Sequence, residues 1–132
     1  MKTKTLLLVA SILLGFATIG CKKETGCTDV SATNYSSSAE KDDGTCTYKG
    51  KATFWNLTTS GLGNVDVYVE GVPEGTITVN YSGTPSCGAS GCVTYTAPAG
   101  TYAYTAYEQG TSLSWAGTVT IASNGCTTVK LY

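Results

Sequence analysis

The sequence predicts an all-β protein, a sandwich or barrel of seven short strands behind a small module closed by cysteines. Three observations carry this expectation. From Lys51 onward apolar and polar residues alternate with period two. In Val65-Asp-Val-Tyr-Val-Glu70 the valines share one face, and Asp66, Tyr68 and Glu70 share the other. Turn residues punctuate the alternation at Gly61-Leu-Gly-Asn64, Pro73-Glu-Gly75, Pro98-Ala-Gly100 and Ser123-Asn-Gly125. The chain also holds 16 glycines among abundant Thr, Ser, Tyr and Val, a composition of strands and turns rather than helices.

Residues 1–20 come first in the chain and read as a leader. A basic start, Met-Lys-Thr-Lys, precedes an apolar run from Leu6 to Ile19 and the small residue Gly20. As a helix that run rises only about 21 Å, whereas a bilayer core of about 30 Å takes roughly 20 apolar residues. A signal peptide therefore fits better than a transmembrane anchor. With Thr18-Ile19-Gly20-Cys21 at its end, the segment resembles the bacterial lipoprotein signal, although Thr18 stands where that family usually has Leu. The resemblance implies a diacylglyceryl thioether on Cys21, which becomes the acylated mature N-terminus. It further implies a bacterial cell-envelope protein of the outer membrane, its lipid in the bilayer. The charged residues of 22–26, Lys-Lys-Glu-Thr-Gly, form a polar tether, and they resemble the surface-export signals of Bacteroidota lipoproteins.

Residues 27–48 have too few apolar side chains to build a core, so the unit needs a staple. A Cys27–Cys46 disulfide would close a loop of about 20 residues, worth roughly 3 kcal/mol. Asp29, Asn34, Asp42 and Asp43 offer hard oxygen ligands of the kind Ca²⁺ takes. Their spacing is not that of an EF-hand. The competing reading makes Asp42-Asp43-Gly44 a turn and Asp29 a cap over Ser31–Asn34. From Gly26 to Tyr48 the segment resembles a short Gly-Cys-x-Asp…Asp-Asp-Gly-x-Cys module of Bacteroidota surface proteins.

The remaining residues, 51–132, carry strands expected near 52–57, 64–70, 76–81, 92–97, 101–108, 114–121 and 126–132. Here Val65-Asp-Val-Tyr-Val-Glu-Gly71, Ala97-Pro-Ala-Gly-Thr-Tyr102 and Gly117-Thr-Val-Thr-Ile121 resemble the prealbumin-like and carboxypeptidase-regulatory-like modules. The resemblance implies a single seven-stranded antiparallel β-sandwich. In it, Tyr102 drops its ring into the core and its hydroxyl finds a backbone partner at the Pro-x-Gly-x-Tyr corner.

Strand direction then places the cysteines. If directions alternate, Cys87 and Cys92 bracket a loop at one end of the strands, and Cys126 opens the last strand at the other. A disulfide needs Cα atoms within about 7 Å, so a Cys87–Cys92 bridge is expected. Cys126 is left free, or paired with Cys46 or Cys27. With Cys21 lipidated, five cysteines remain and at least one has no intramolecular partner.

Composition narrows function. Without the leader the chain has six lysines against nine acids, a net of −3, and it contains no arginine. That argues against nucleic acid, where guanidinium groups carry much of the readout. It contains no histidine either, which removes the commonest general base and zinc ligand. Glu70, Glu74 and Glu108 read as water-facing strand-end residues rather than paired catalytic acids. The expectation is a non-catalytic, lipid-anchored envelope protein whose β-domain is a structural or interaction module, with no cofactor beyond the weak Ca²⁺ candidate. Its partners are the membrane, through the lipid, and an unidentified protein or glycan. The alternative is a glycan-binding surface lipoprotein that uses Tyr68, Trp55, Tyr107 and Trp115 as exposed aromatics.

Overall fold

The structure is a computed structural model that describes residues 22–132, so the leader and Cys21 lie outside the described residues. The described chain is all-β and its sheets are mostly antiparallel. Its first two strands, β1 (Thr25–Gly26) and β2 (Lys41–Asp42), pair in parallel. The larger part comprises β3 (Lys49–Leu57), β4 (Val65–Val69), β5 (Val72–Ile77), β6 (Asn80–Tyr81), β7 (Val93–Pro98), β8 (Gly100–Glu108), β9 (Ser114–Ile121) and β10 (Cys126–Lys130).

Two four-stranded sheets share one core. One sheet has the order β5-β4-β8-β9; in the other, β3 lies between β10 on one side and β7 and β6 on the other. Period-two alternation delivers the core. Val65, Val67 and Val69 point inward from β4, Ala52 and Phe54 from β3, and Val119 and Ile121 from β9. The rings of Phe54 and Tyr104 meet edge to face at 5.1 Å across the two sheets. Tyr102 packs its ring against the core and donates its hydroxyl to the Pro98 carbonyl at 2.8 Å.

Two expectations about the strands are corrected. The pairing is not all antiparallel: β10 runs parallel to β3, from Cys126 opposite Lys51 to Lys130 opposite Trp55, and β6 also runs parallel to β3. Chain direction does reverse along the sequence as expected. However, β3 and β10 run the same way and become neighbours, so their ladder is parallel. The expected strand 76–81 is also two strands. It breaks at Thr78 and Val79, whose amides both donate to the Gly91 carbonyl. The reversal before it lies at Glu70-Gly71, with φ of 50° and 77°, the pair of left-handed residues that a tight hairpin takes. Pro73-Glu-Gly75 therefore falls inside β5, opposite a register shift between Val67 and Tyr68.

The longest connection within the larger part, residues 82–92, does not stay at the strand ends. It folds back over the face of β3 that is turned away from the core, where the Gly88 amide donates to the Thr53 hydroxyl at 3.0 Å. Thr53 and Trp55, which alternation places on the solvent side of β3, are consequently buried.

Candidate functional site

The cysteines settle into two disulfides. Cys27 and Cys46 are joined, with Cα atoms 4.8 Å apart, and Cys27 is fully buried. Around that bond the short module is held by backbone contacts, among them Thr33 N–H to the Thr47 carbonyl at 2.7 Å and Ser36 N–H to the Cys27 carbonyl at 2.9 Å. The second disulfide corrects the sequence expectation: Cys87 pairs with Cys126, Cα atoms 6.1 Å apart, and among the described residues Cys92 is free. The expected Cys87–Cys92 bridge assumed that the loop remains at its own end of the sheet. Ten residues of chain can reach well over 20 Å. Here the loop uses that reach to lay Cys87 beside Thr53, one row from the start of β10. Burial pushes the Cys92 thiol above its ordinary value of 9.0, which lowers its thiolate fraction and its reactivity.

The four oxygen-bearing residues of the module spend their lone pairs locally. Asp29 Oδ1 accepts from the Ser31 amide at 2.9 Å and its hydroxyl at 2.6 Å, while Oδ2 accepts from the Tyr48 hydroxyl at 2.7 Å. Asp42 accepts from the Gly44 amide, and Asp43 from the amide and hydroxyl of Thr45. Asn34 bridges the Thr45 carbonyl and the Thr47 amide. Gly44 at φ 75° takes the left-handed position that the Asp42-Asp43-Gly44 turn requires. These are cap and turn bonds, and among the described residues no three acids, cysteines or histidines converge on a point where a cation would sit.

The four aromatics proposed as a ligand surface are not brought together. Trp55 is only 4% exposed, a correction that follows from the loop covering its face of β3. Trp115 pairs with Ala106 and packs against the core. Tyr68 is half-buried and Tyr107 is half-exposed, and their rings meet edge to face at 5.7 Å and 81°. Ring planes set nearly perpendicular do not form one flat platform on which a sugar could stack across both. Glu108 is also corrected. It is 9% exposed rather than water-facing, because its carboxylate ties down two loops. Oε1 accepts from the Gly63 amide at 2.7 Å and Oε2 from the Thr111 hydroxyl at 2.8 Å.

One buried polar group gave no signal in the sequence. Asn56 is fully buried at the end of β3, and neither Oδ1 nor Nδ2 finds a partner among the described residues. A cavity of about 400 Å³ is lined by Lys22, Lys23, Glu24 and Thr25, tether residues that carry no paired catalytic groups. Comparison with protein-family models, with curated proteins and with solved structures gives no match.

Proposed function

We propose that this chain is a lipid-anchored protein of the bacterial cell envelope, tethered through Cys21, whose stapled module and β-domain act as a non-catalytic interaction unit outside the membrane. One observation carries the reading. Four cysteines are consumed in two disulfides, Cys27–Cys46 and Cys87–Cys126, and such bonds persist in oxidising compartments. Export is what the leader would provide, and Cys21 follows that leader directly. Each buried CH₂ of an acyl chain contributes about 0.8 kcal/mol, so two or three chains on Cys21 hold the protein durably.

The β-domain is read as a prealbumin-like sandwich, supported by the shared core and by the Tyr102 corner, with a topology that includes the parallel β3–β10 ladder. The glycan-binding alternative rests on Tyr68 and Tyr107 alone, and no flat aromatic platform favours it.

Metabolic labelling with an alkyne fatty acid tests the anchor. Label is expected on the wild-type chain and on Cys92→Ser, and its loss from Cys21→Ser, with release of that variant from the membrane fraction. Labelling that survives Cys21→Ser would remove the reading.

A further inference from the structure

Sheet edges are where β-proteins meet other strands, and natural chains blunt them with proline, charge, bulges or short length. Most of the edges here are blunted. Strand β5 carries Pro73 and Glu74 and faces a register shift in β4. Strand β10 is five residues long, ends at Lys130 and is bonded to the 82–92 loop at Cys126. Strand β7 ends at Pro98, and β6 is two residues long. Strand β9 has none of these devices. It runs eight residues, Ser-Trp-Ala-Gly-Thr-Val-Thr-Ile, and among the described residues it pairs only with β8. No charged residue occurs anywhere between Glu108 and Lys130.

The ladder fixes which backbone groups of β9 are free. The Glu108 amide donates to the Leu113 carbonyl, so 108 and 113 form a hydrogen-bonded pair, and every second pair along the strands does the same. In β9, Trp115, Gly117, Val119 and Ile121 therefore turn their N–H and C=O toward β8. Ser114, Ala116, Thr118 and Thr120 turn theirs away from it. Thr120 bears this out, since its carbonyl accepts from the Thr127 hydroxyl at 2.9 Å. Ser114, Ala116 and Thr118 are all exposed.

We infer that β9 is a self-pairing edge through which two copies of this chain join, antiparallel about a two-fold axis at Ala116. In that register Ala116 opposes its own copy, and Ser114 opposes Thr118 of the partner. All three outward residues are then satisfied, with about six hydrogen bonds across the axis. The four-stranded sheet becomes continuous across both copies. Charge decides in favour of a second copy: the chain's acids lie off this edge, so pairing it with itself brings no like charges together. The neighbouring outward face, with Thr101, Ala103, Thr105, Thr118 and Thr120, is uncharged as well.

Native mass spectrometry of the full-length chain released from mild detergent tests this, whatever the state of its N-terminus. Wild type is expected as a dimer within about 1 µM to 1 mM, the range of weak to moderate affinities. Ala116→Pro removes a donor that the β8–β9 ladder does not use, and Ala116→Lys sets two ammonium groups at the axis. Both variants are expected to be monomeric with the wild-type circular dichroism spectrum. A second readout does not depend on variants: in wild type the amides of Ser114, Ala116 and Thr118 should exchange slowly although they point away from β8. A wild-type monomer throughout that range, a dimer that persists in either folded variant, or fast exchange at those three amides would overturn the inference.

Discussion

Gly50 is held to glycine by contact. A Cβ there would run into the Ala122 carbonyl and come within 2.7 Å of Ile121 Cγ2, backbone and core of the corner between β9 and β10. Gly50→Ala is expected to cost about 3 kcal/mol or more, because neither obstacle can move cheaply. Urea denaturation reads this as a lower midpoint at unchanged slope. Asn56 lies at the other extreme, a buried amide with both polar atoms unpartnered. Asn56→Val, apolar and closer to Asn in volume than Leu is, should stabilise the chain by about 1 kcal/mol. A loss of stability would show that the amide does have partners. Asp29 and Tyr48 supply a pH dependence. Hydroxyl and amide donors from Ser31, and then the Tyr48 hydroxyl, hold the Asp29 carboxyl below its ordinary 3.8. Its contribution is therefore present above that value and lost as pH falls through the lowered one. The bond to Asp29 raises Tyr48 above 10.0, so its contribution is present below pH 10 and lost as pH climbs through the raised value. Amide chemical shifts of Ser31 and Tyr48 should hold steady near neutrality and move at both extremes, and Asp29→Asn should remove the acid limb.

At the scale of elements, the loop 82–92 and its disulfide separate what was legible from what was not. All seven expected strand regions of the β-domain hold strands, because each has one buried and one wet face and alternation records that directly. Their neighbours were not legible. Period two reports which face is buried, not which strand lies beside which, so the parallel partners of β3 left no trace. The loop gave no signal either: Ser-Gly-Thr-Pro-Ser-Cys-Gly-Ala-Ser-Gly has neither period, and its fold-back depends on Thr53, a residue on another strand. The fold-back of this loop accounts for both the Cys87 pairing and the burial of Trp55. The module at 27–48 was easier, since Asx turns and caps are short-range and its two cysteines had little choice of partner. Disulfide mapping checks the outcome: the peptide holding Cys126 should be linked to the one holding Cys87 and Cys92, with one alkylatable thiol between them. Cys126→Ser opens a loop of 39 residues' separation and is expected to cost about 4 kcal/mol.

For the molecule as a whole, the two staples have one effect. A chain of modest size with a small core gains stability from constraints on its unfolded state. The arrangement places the proposed lipid first, then the tether, the stapled module and the β-domain. A dimer through β9 would carry two such lipids and hold the membrane more firmly than one. The proposed membrane placement hangs on Cys21. The most direct test is the intact mass of the mature protein purified from membranes, with its N-terminal peptide. The expected result is a chain beginning at Cys21 and heavier by a diacylglyceryl thioether, with or without a further N-acyl chain. A mature chain that retains Met1, or one in which Cys21 is unmodified, would contradict it.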